Sequence, residues 1–405
     1  MSDRRPADPR PVGRVATAER PPLRSVLPGD AQVRAPHGQR MRWPSAVLVG
    51  VPLLAIALVV IALRLPNVFG GASPSPPHVI ASFPVWNLEA GAEAVASRAS
   101  SFTAVSPSLY EVAPDGGIVV RPQPDGVSAA DGLAALRATD VPVVPIISNT
   151  RDGDWDPALI QTILHDRDLL DRHVEAIVDL VLEEDLAGID IDYEDLAARD
   201  RDAFSAFIAQ LADALHREDR TLAVEVFAKE SDQGYDQRNV AQDYEALGRA
   251  ADQVRLMAYD WHWQTSGAGP IAPADWVRAV LSYAVTEVPA EKLVLGIPTY
   301  GYRWDGGEGR LVSWLQAYGL SRQFEVPVRW DPYAASPWLT YRDEAGVEHV
   351  VWFENSQSIT AKLELAQSYG VGGTFLWLVG DEDDNAWPVI STYAEGEQVA
   401  AEGGR

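Results

Sequence analysis

Eight short runs of apolar and β-branched residues, separated by stretches of helical periodicity, constrain the fold of this chain more than any other feature. The runs lie at 79–83, 102–105, 143–147, 188–192, 222–227, 254–259, 293–297 and 374–377. Apolar positions recur at helical spacing over 170–182, 203–215, 276–283 and 359–369. Strand and helix in alternation build a parallel sheet covered by helices, and eight such strands over roughly 315 residues fit a closed α/β (β/α)8 TIM barrel. Pro145 cannot donate to a ladder, which weakens the third strand. No glycine-rich phosphate loop follows any strand, so a nucleotide cofactor is not expected. The barrel is expected over 78–393, with a small insertion between strands 7 and 8 at about 304–349. A hairpin centred on Asp343, Glu344, Ala345 and Gly346 should form one wall of a cleft.

The chain ahead of the barrel is of a different kind. Residues 46–63 form an 18-residue run without a charged or strongly polar side chain. As a helix it would reach about 27 Å, close to the thickness of a bilayer core. Residues 1–45 carry nine Arg against four acidic side chains, which predicts a disordered cytoplasmic segment and a single N-terminal transmembrane helix with the barrel outside. A cleaved signal peptide and a buried core helix are the alternatives. Residues 64–77 read as a Pro/Gly/Ser tether and 394–405 as a disordered tail. The whole chain carries a net charge of −25, which repels nucleic acid and excludes it as a partner. There is no cysteine, so neither disulfides nor thiolate metal sites are available.

The chemistry lies on the fourth strand. Side chains alternate along a strand, so Asp190, Asp192 and Glu194 share one face, while Ile189, Ile191 and Tyr193 share the other. Three carboxyl groups on a core-facing row are costly unless paired or protonated, and packing alone does not account for them. Mutual proximity should raise one member of the Asp190/Asp192 pair and leave Glu194 protonated as a general acid. A divalent-cation site on the same carboxylates is the competing chemistry. The acidic stretch Asp381, Glu382, Asp383 and Asp384 reads as a solvated turn rather than a metal loop.

These residues resemble glycoside hydrolase family 18, the chitinase-like barrels. The segment 188–194 is similar to the family's DGxDxDxE signature, Met257, Ala258, Tyr259 and Asp260 to its MxYD strand end, and 296–301 (GIPTYG) to its seventh strand. Trp377 stands where the family has a barrel-floor tryptophan. The stretches YDWHW with GPIAP, and GVEHVVWFENSQSITAKLELAQSYGVGG, are most similar to the spore-germination and cortex-hydrolase-like branch.

The resemblance implies a glycosidase acting on an N-acetylglucosamine polymer, of peptidoglycan or chitin type, without cofactor or metal. It further implies retaining hydrolysis assisted by the substrate's own acetamido group. Glu194 would then be the general acid and base. Asp192 would hold the acetamido N–H, Asp190 would support Asp192, and Tyr259 would orient the acetamido carbonyl. Trp377 would be the sugar platform, with Met257 and Asp260 beside it. Independently of the resemblance, Trp86, Trp261, Trp263 and Tyr300 fall at expected strand ends and either extend the cleft by stacking on sugar or pack in the core, and Asn149, just past the third strand, either contacts substrate or caps a turn. His262 reads as a wall residue. Ala187 stands where the signature usually has its first Asp, which predicts that the row lacks its deepest carboxylate. A sugar-binding barrel without catalysis is the alternative function, but such a protein would be expected to lose the acid itself, and Glu194 is present.

Overall fold

The computed structural model describes residues 76–123, 128–233 and 236–399. The expected transmembrane run at 46–63 and the segments on either side of it, up to residue 75, lie outside the described residues. Among the described residues no helix is long and apolar enough to cross a membrane.

Eight parallel strands close into a barrel: β1 (His78–Pro84), β2 (Ala104–Val112), β3 (Ile146–Ser148), β4 (Gly188–Asp192), β5 (Thr221–Phe227), β6 (Gln253–Met257), β7 (Leu293–Pro298) and β8 (Gly373–Trp377). Closure comes from β1, which pairs with both β8 and β2. All eight expected strands are staves of this barrel, and the second and third differ most from expectation. β2 runs on to Val112 because Ser106, Pro107 and Ser108, which interrupt the apolar pattern, are nonetheless in the strand. β3 is reduced to three residues plus an isolated bridge from Val143 to Val105. Between the two, Pro145 offers no N–H, but its carbonyl accepts from Asp190 N at 3.0 Å.

The main core lies between the staves and the outer helices. Ile189, Ile191 and Tyr193 from β4 and its end pack there against helix Arg201–His216, whose Phe204, Phe207, Ile208 and Leu211 are all fully buried. Tyr193 stacks on Phe207 and bonds His173 at 2.7 Å, so its hydroxyl is satisfied on the helix side. The barrel interior is of two kinds. Ile80, Val294 and Phe375, from β1, β7 and β8, form a small apolar cluster with Met257, Tyr259 and Trp377 at its edge. The opposite side carries Ser106, Ser148, Asp190, Glu225 and Arg255, all buried. Gly296 keeps the apolar side open, because a Cβ there would meet Phe375 Cζ and Tyr259 Cε1 at 2.7 Å.

The insertion is larger than expected. It is a five-stranded antiparallel sheet in the order Arg310–Ser313, Tyr300–Trp304, Glu348–Phe353, Ser336–Arg342, Arg329–Asp331. Helix Trp314–Gln323 covers one face over Val312, Leu339, Val351 and Phe353. The sheet begins four residues before the expected boundary because Tyr300–Trp304 leaves β7 directly as a strand. The hairpin at Asp343 forms as expected, with Val347 N bonded to Asp343 Oδ1 at 2.9 Å and Gly346 at φ 80°. The expectation of a disordered tail from 394 is corrected for 394–399, where Ala394 closes helix Trp387–Ala394. Val399 is buried, and its N–H bonds Gln367 Oε1 at 2.9 Å.

Candidate active site

β4 presents the acid row to the barrel interior, as the alternation requires. Asp190 is fully buried, and Asp192 and Glu194 are half-buried toward the C-terminal mouth. Asp190 Oδ2 lies 2.5 Å from Arg255 Nη1, which also donates to Ser106 Oγ at 2.6 Å. Asp192 Oδ1 is buried with no hydrogen-bond partner among the described residues. Arg121, reaching in beside β2, donates to Ser108 Oγ at 2.7 Å and lies 3.3 Å from Glu111.

The electrostatics follow from burial and crowding. Burial, with the Asp190 charge beside it and against the pull of Arg121, raises Asp192 to about 7. Glu194 is pushed well above the ordinary carboxylate range by burial, then by Asp192, Asp195 and Asp260, against the pull of Arg238. A carboxyl in this state keeps its proton near neutral pH and can give it up. The Tyr259 hydroxyl is raised by burial and by the Glu225, Asp192, Asp260 and Glu194 carboxyls, so it stays a neutral donor among them. Its ring packs edge-on against Phe375 at 6.0 Å.

The remaining expected residues separate into those facing the mouth and those holding others. Trp86, Trp261 and Trp263 are exposed at 58%, 40% and 47%, and Trp377 is half-buried at the end of β8. Met257 edges the apolar floor. Tyr300 is corrected from a substrate contact to a support: it is buried, and its hydroxyl donates to Asp260 Oδ1 at 2.6 Å. Asp260, at φ 55°, is raised to about 6 by burial against that bond. His262 bonds Gly267 O at 2.9 Å and forms part of the loop wall.

Asn149 is also corrected. It is fully buried, its Oδ1 accepts from Glu194 N at 2.8 Å, and its Nδ2 donates to Glu194 O at 3.0 Å. Both ends of the amide are thus spent on the backbone of the acid. Asn149→Ala should cost about 1–3 kcal/mol of stability, the usual range for an orphaned buried partner. It should also lower kcat with little change in KM; a raised KM at unchanged kcat would instead place Asn149 on the sugar.

The Ala187 reading is overturned by parity. Residue 187 shares the helix-side face with Ile189 and Ile191, and it lines an open depression at the opposite end of the barrel with Arg137, Glu184 and Arg220. Beneath Asp190 on the row is Gly188, where a Cβ would come within 2.3 Å of Thr221 O. No carboxylate is missing from the row. The deep charges come from neighbouring staves, as Glu225 and Arg255. Both were missed in the sequence, although each is a lone charge inside an apolar run (TLAVEVF and QVRLM). The acids at 381–384 are engaged locally: Asp383 accepts from Ser356 N, Glu382 from Trp387 Nε1, and Asp384 pairs with Arg98.

Comparison with known proteins agrees with this geometry. Residues 128–383 match the glycosyl hydrolases family 18. The cortical fragment-lytic enzyme of Bacillus anthracis is 30% identical over 262 residues, 63% of this chain, and the chain spans 60% of that enzyme's length. A chitinase from Chromobacterium violaceum superposes with a TM-score of 0.73 at 30% identity, covering 80% of this chain and 100% of that one. The Bacillus cereus spore cortex-lytic enzyme SleL superposes at 0.72 with 26% identity, covering 82% and 77%. With the acid row and the mouth tryptophans placed on such a barrel, the chain belongs to glycosyl hydrolase family 18 and is a glycoside hydrolase.

Proposed function

We propose that this glycosidase cleaves β-linked N-acetylglucosamine polymers of the peptidoglycan type, by a retaining mechanism in which the substrate's acetamido oxygen is the nucleophile. The carrying observation is Glu194, half-buried at the mouth and held protonated beside an uncommitted Asp192. Glu194 gives its proton to the glycosidic oxygen as the C1–O bond breaks. The acetamido carbonyl oxygen bonds to C1 from the other face, forming an oxazolinium ion. Asp192 accepts the acetamido N–H and balances the charge, and the Tyr259 hydroxyl steadies the carbonyl. Water then adds to C1 as the C1–O bond to the acetamido oxygen breaks and the neutral acetamido group re-forms, the water proton passes to the ionised Glu194, and the β-configuration is restored. Trp377 supplies an apolar platform under the sugar, and Trp86, Trp261 and Trp263 extend it outward.

Similarity to a cortical fragment-lytic enzyme and to SleL supports a peptidoglycan-type polymer, and similarity to a chitinase supports the N-acetylglucosamine unit that the two polymer types share. The test is a matched pair of oligomers with and without N-acetyl groups. The acetylated one should be cleaved with the β-anomer as first product, and the deacetylated one at least about 10³-fold more slowly, because the loss of a positioned intramolecular nucleophile is that large. Equal turnover of the two rules the mechanism out.

The reading includes a location. The uncharged run 46–63 behind an Arg-rich segment supports a single-pass anchor with the barrel outside the cell. Deleting 1–77 should release activity from the membrane fraction; activity that remains with membranes overturns the anchor.

A further inference from the structure

The deepest polar group of the barrel has no part in the mechanism above. Glu225 and Arg255 are direct cross-strand partners on β5 and β6, both facing inward and both buried, at 4% and 1% exposure. Arg255 bonds Asp190, Ser106 and, at 3.1 Å, Gln253 Oε1. Asp190 Oδ1 and Glu225 Oε1 are both buried without a hydrogen-bond partner among the described residues, two oxygens that one shared proton would satisfy, and burial with the Asp190 and Asp192 charges pushes Glu225 well above the usual range. A guanidinium this deeply buried is expensive unless its charge is matched, and the Asp190 carboxylate at 2.5 Å is the matching partner. The other ionisable groups facing this cluster are His78 at the foot of β1, Arg121 beside Asp192, and Tyr259 above Glu225. Glu194, Asp260, Asp195 and Arg238 lie further out.

We propose that Arg255 and Glu225 are positioning residues for the reaction: Arg255 clamps Asp190 as a fixed anion, and Glu225 caps it with a neutral hydrogen-bond donor. Of the two aspartates, Asp192 is then the one free to exchange a proton and turn toward the acetamido group. Fork-shaped donation from a planar guanidinium suits this role, since one group reaches Asp190 and Ser106 together and fixes the carboxylate's orientation. The floor rests on the assignment of Glu194 and Asp192 made above and adds to it a reason why the proton resides on Asp192 rather than Asp190.

The test is the pH profile of kcat/KM on an acetylated oligomer, with thermal unfolding measured alongside. Arg255→Met should lower kcat about 100-fold with KM within about threefold. It should also move the acid limb down by about one pH unit, because Asp190 then takes the proton and no longer faces Asp192 as an anion. Glu225→Gln keeps a neutral donor, and should retain kcat within about fivefold with the limb unmoved. Glu225→Leu removes the donor and should lose more than tenfold. If Arg255→Met does not fold, the Gln/Leu contrast decides. Equal kinetics for those two variants, or a lowered melting temperature with an unmoved limb in Arg255→Met, reduce the cluster to packing and overturn the proposal. Glu194→Gln in the same assay separates the layers. If it is inactive while the floor variants behave as wild type, only the floor assignment falls; if it turns over normally, the catalytic reading and the floor fall together.

Discussion

Glu194→Gln lowers kcat on an N-acetylglucosamine oligomer by about 10³- to 10⁴-fold and leaves oligomer affinity nearly unchanged. The upper end of the range for a positioned general acid applies because, in the mechanism proposed here, the same group serves twice, protonating the leaving oxygen and later activating water. Gln is nearly isosteric and keeps the Asn149 clamp, which binds only the backbone of residue 194. The half-buried pocket therefore keeps its shape and loses its proton. Calorimetric binding of the oligomer, beside the rate of reducing-end release, checks both halves. A variant that still turns over at more than a tenth of the wild-type rate removes Glu194 from the acid role.

A second large effect is expected far from the acid row. Lys362 Nζ and Glu354 Oε2 are 2.7 Å apart, with both side chains fully buried. Lys362→Met strands a carboxylate whose ionised form burial already disfavours, and should cost about 3–5 kcal/mol in denaturant unfolding. Adding Glu354→Leu should restore most of that loss, since a matched apolar pair replaces the ions without a desolvation penalty. Glu354 follows the last strand of the insertion, and Lys362 belongs to helix Ser356–Tyr369. The pair thus fastens the cleft wall to the barrel. In the single variant KM should rise more than kcat falls. A single variant as stable as wild type shows that the pair contributes nothing.

The barrel was legible because each stave is a short apolar run followed by a periodic helix, and the acid row because alternation on one strand is a local property. The second run stops short at 105 because Ser106, Pro107 and Ser108 break the apolar pattern; the two serines belong to the polar half of the interior, which no local pattern reveals. Tyr300 and Asn149 were read as sugar contacts because both fall at strand ends. Their true partners, Asp260 and the Glu194 backbone, are 40 and 45 residues away. Glu225 and Arg255 were overlooked for a similar reason: a charge in an apolar run looks like an interruption until closure brings three staves together.

The orientation of residue 187 bears on how such chains are sorted. A fingerprint written as consecutive letters strings together two sides of one ribbon, and only alternate letters face the inside of the barrel. Its opening letter lies at the outer foot of the stave, so alanine there is a change of masonry rather than of chemistry. Chains set aside as degenerate on that letter alone are better judged by what their fifth and sixth staves place beneath the acids.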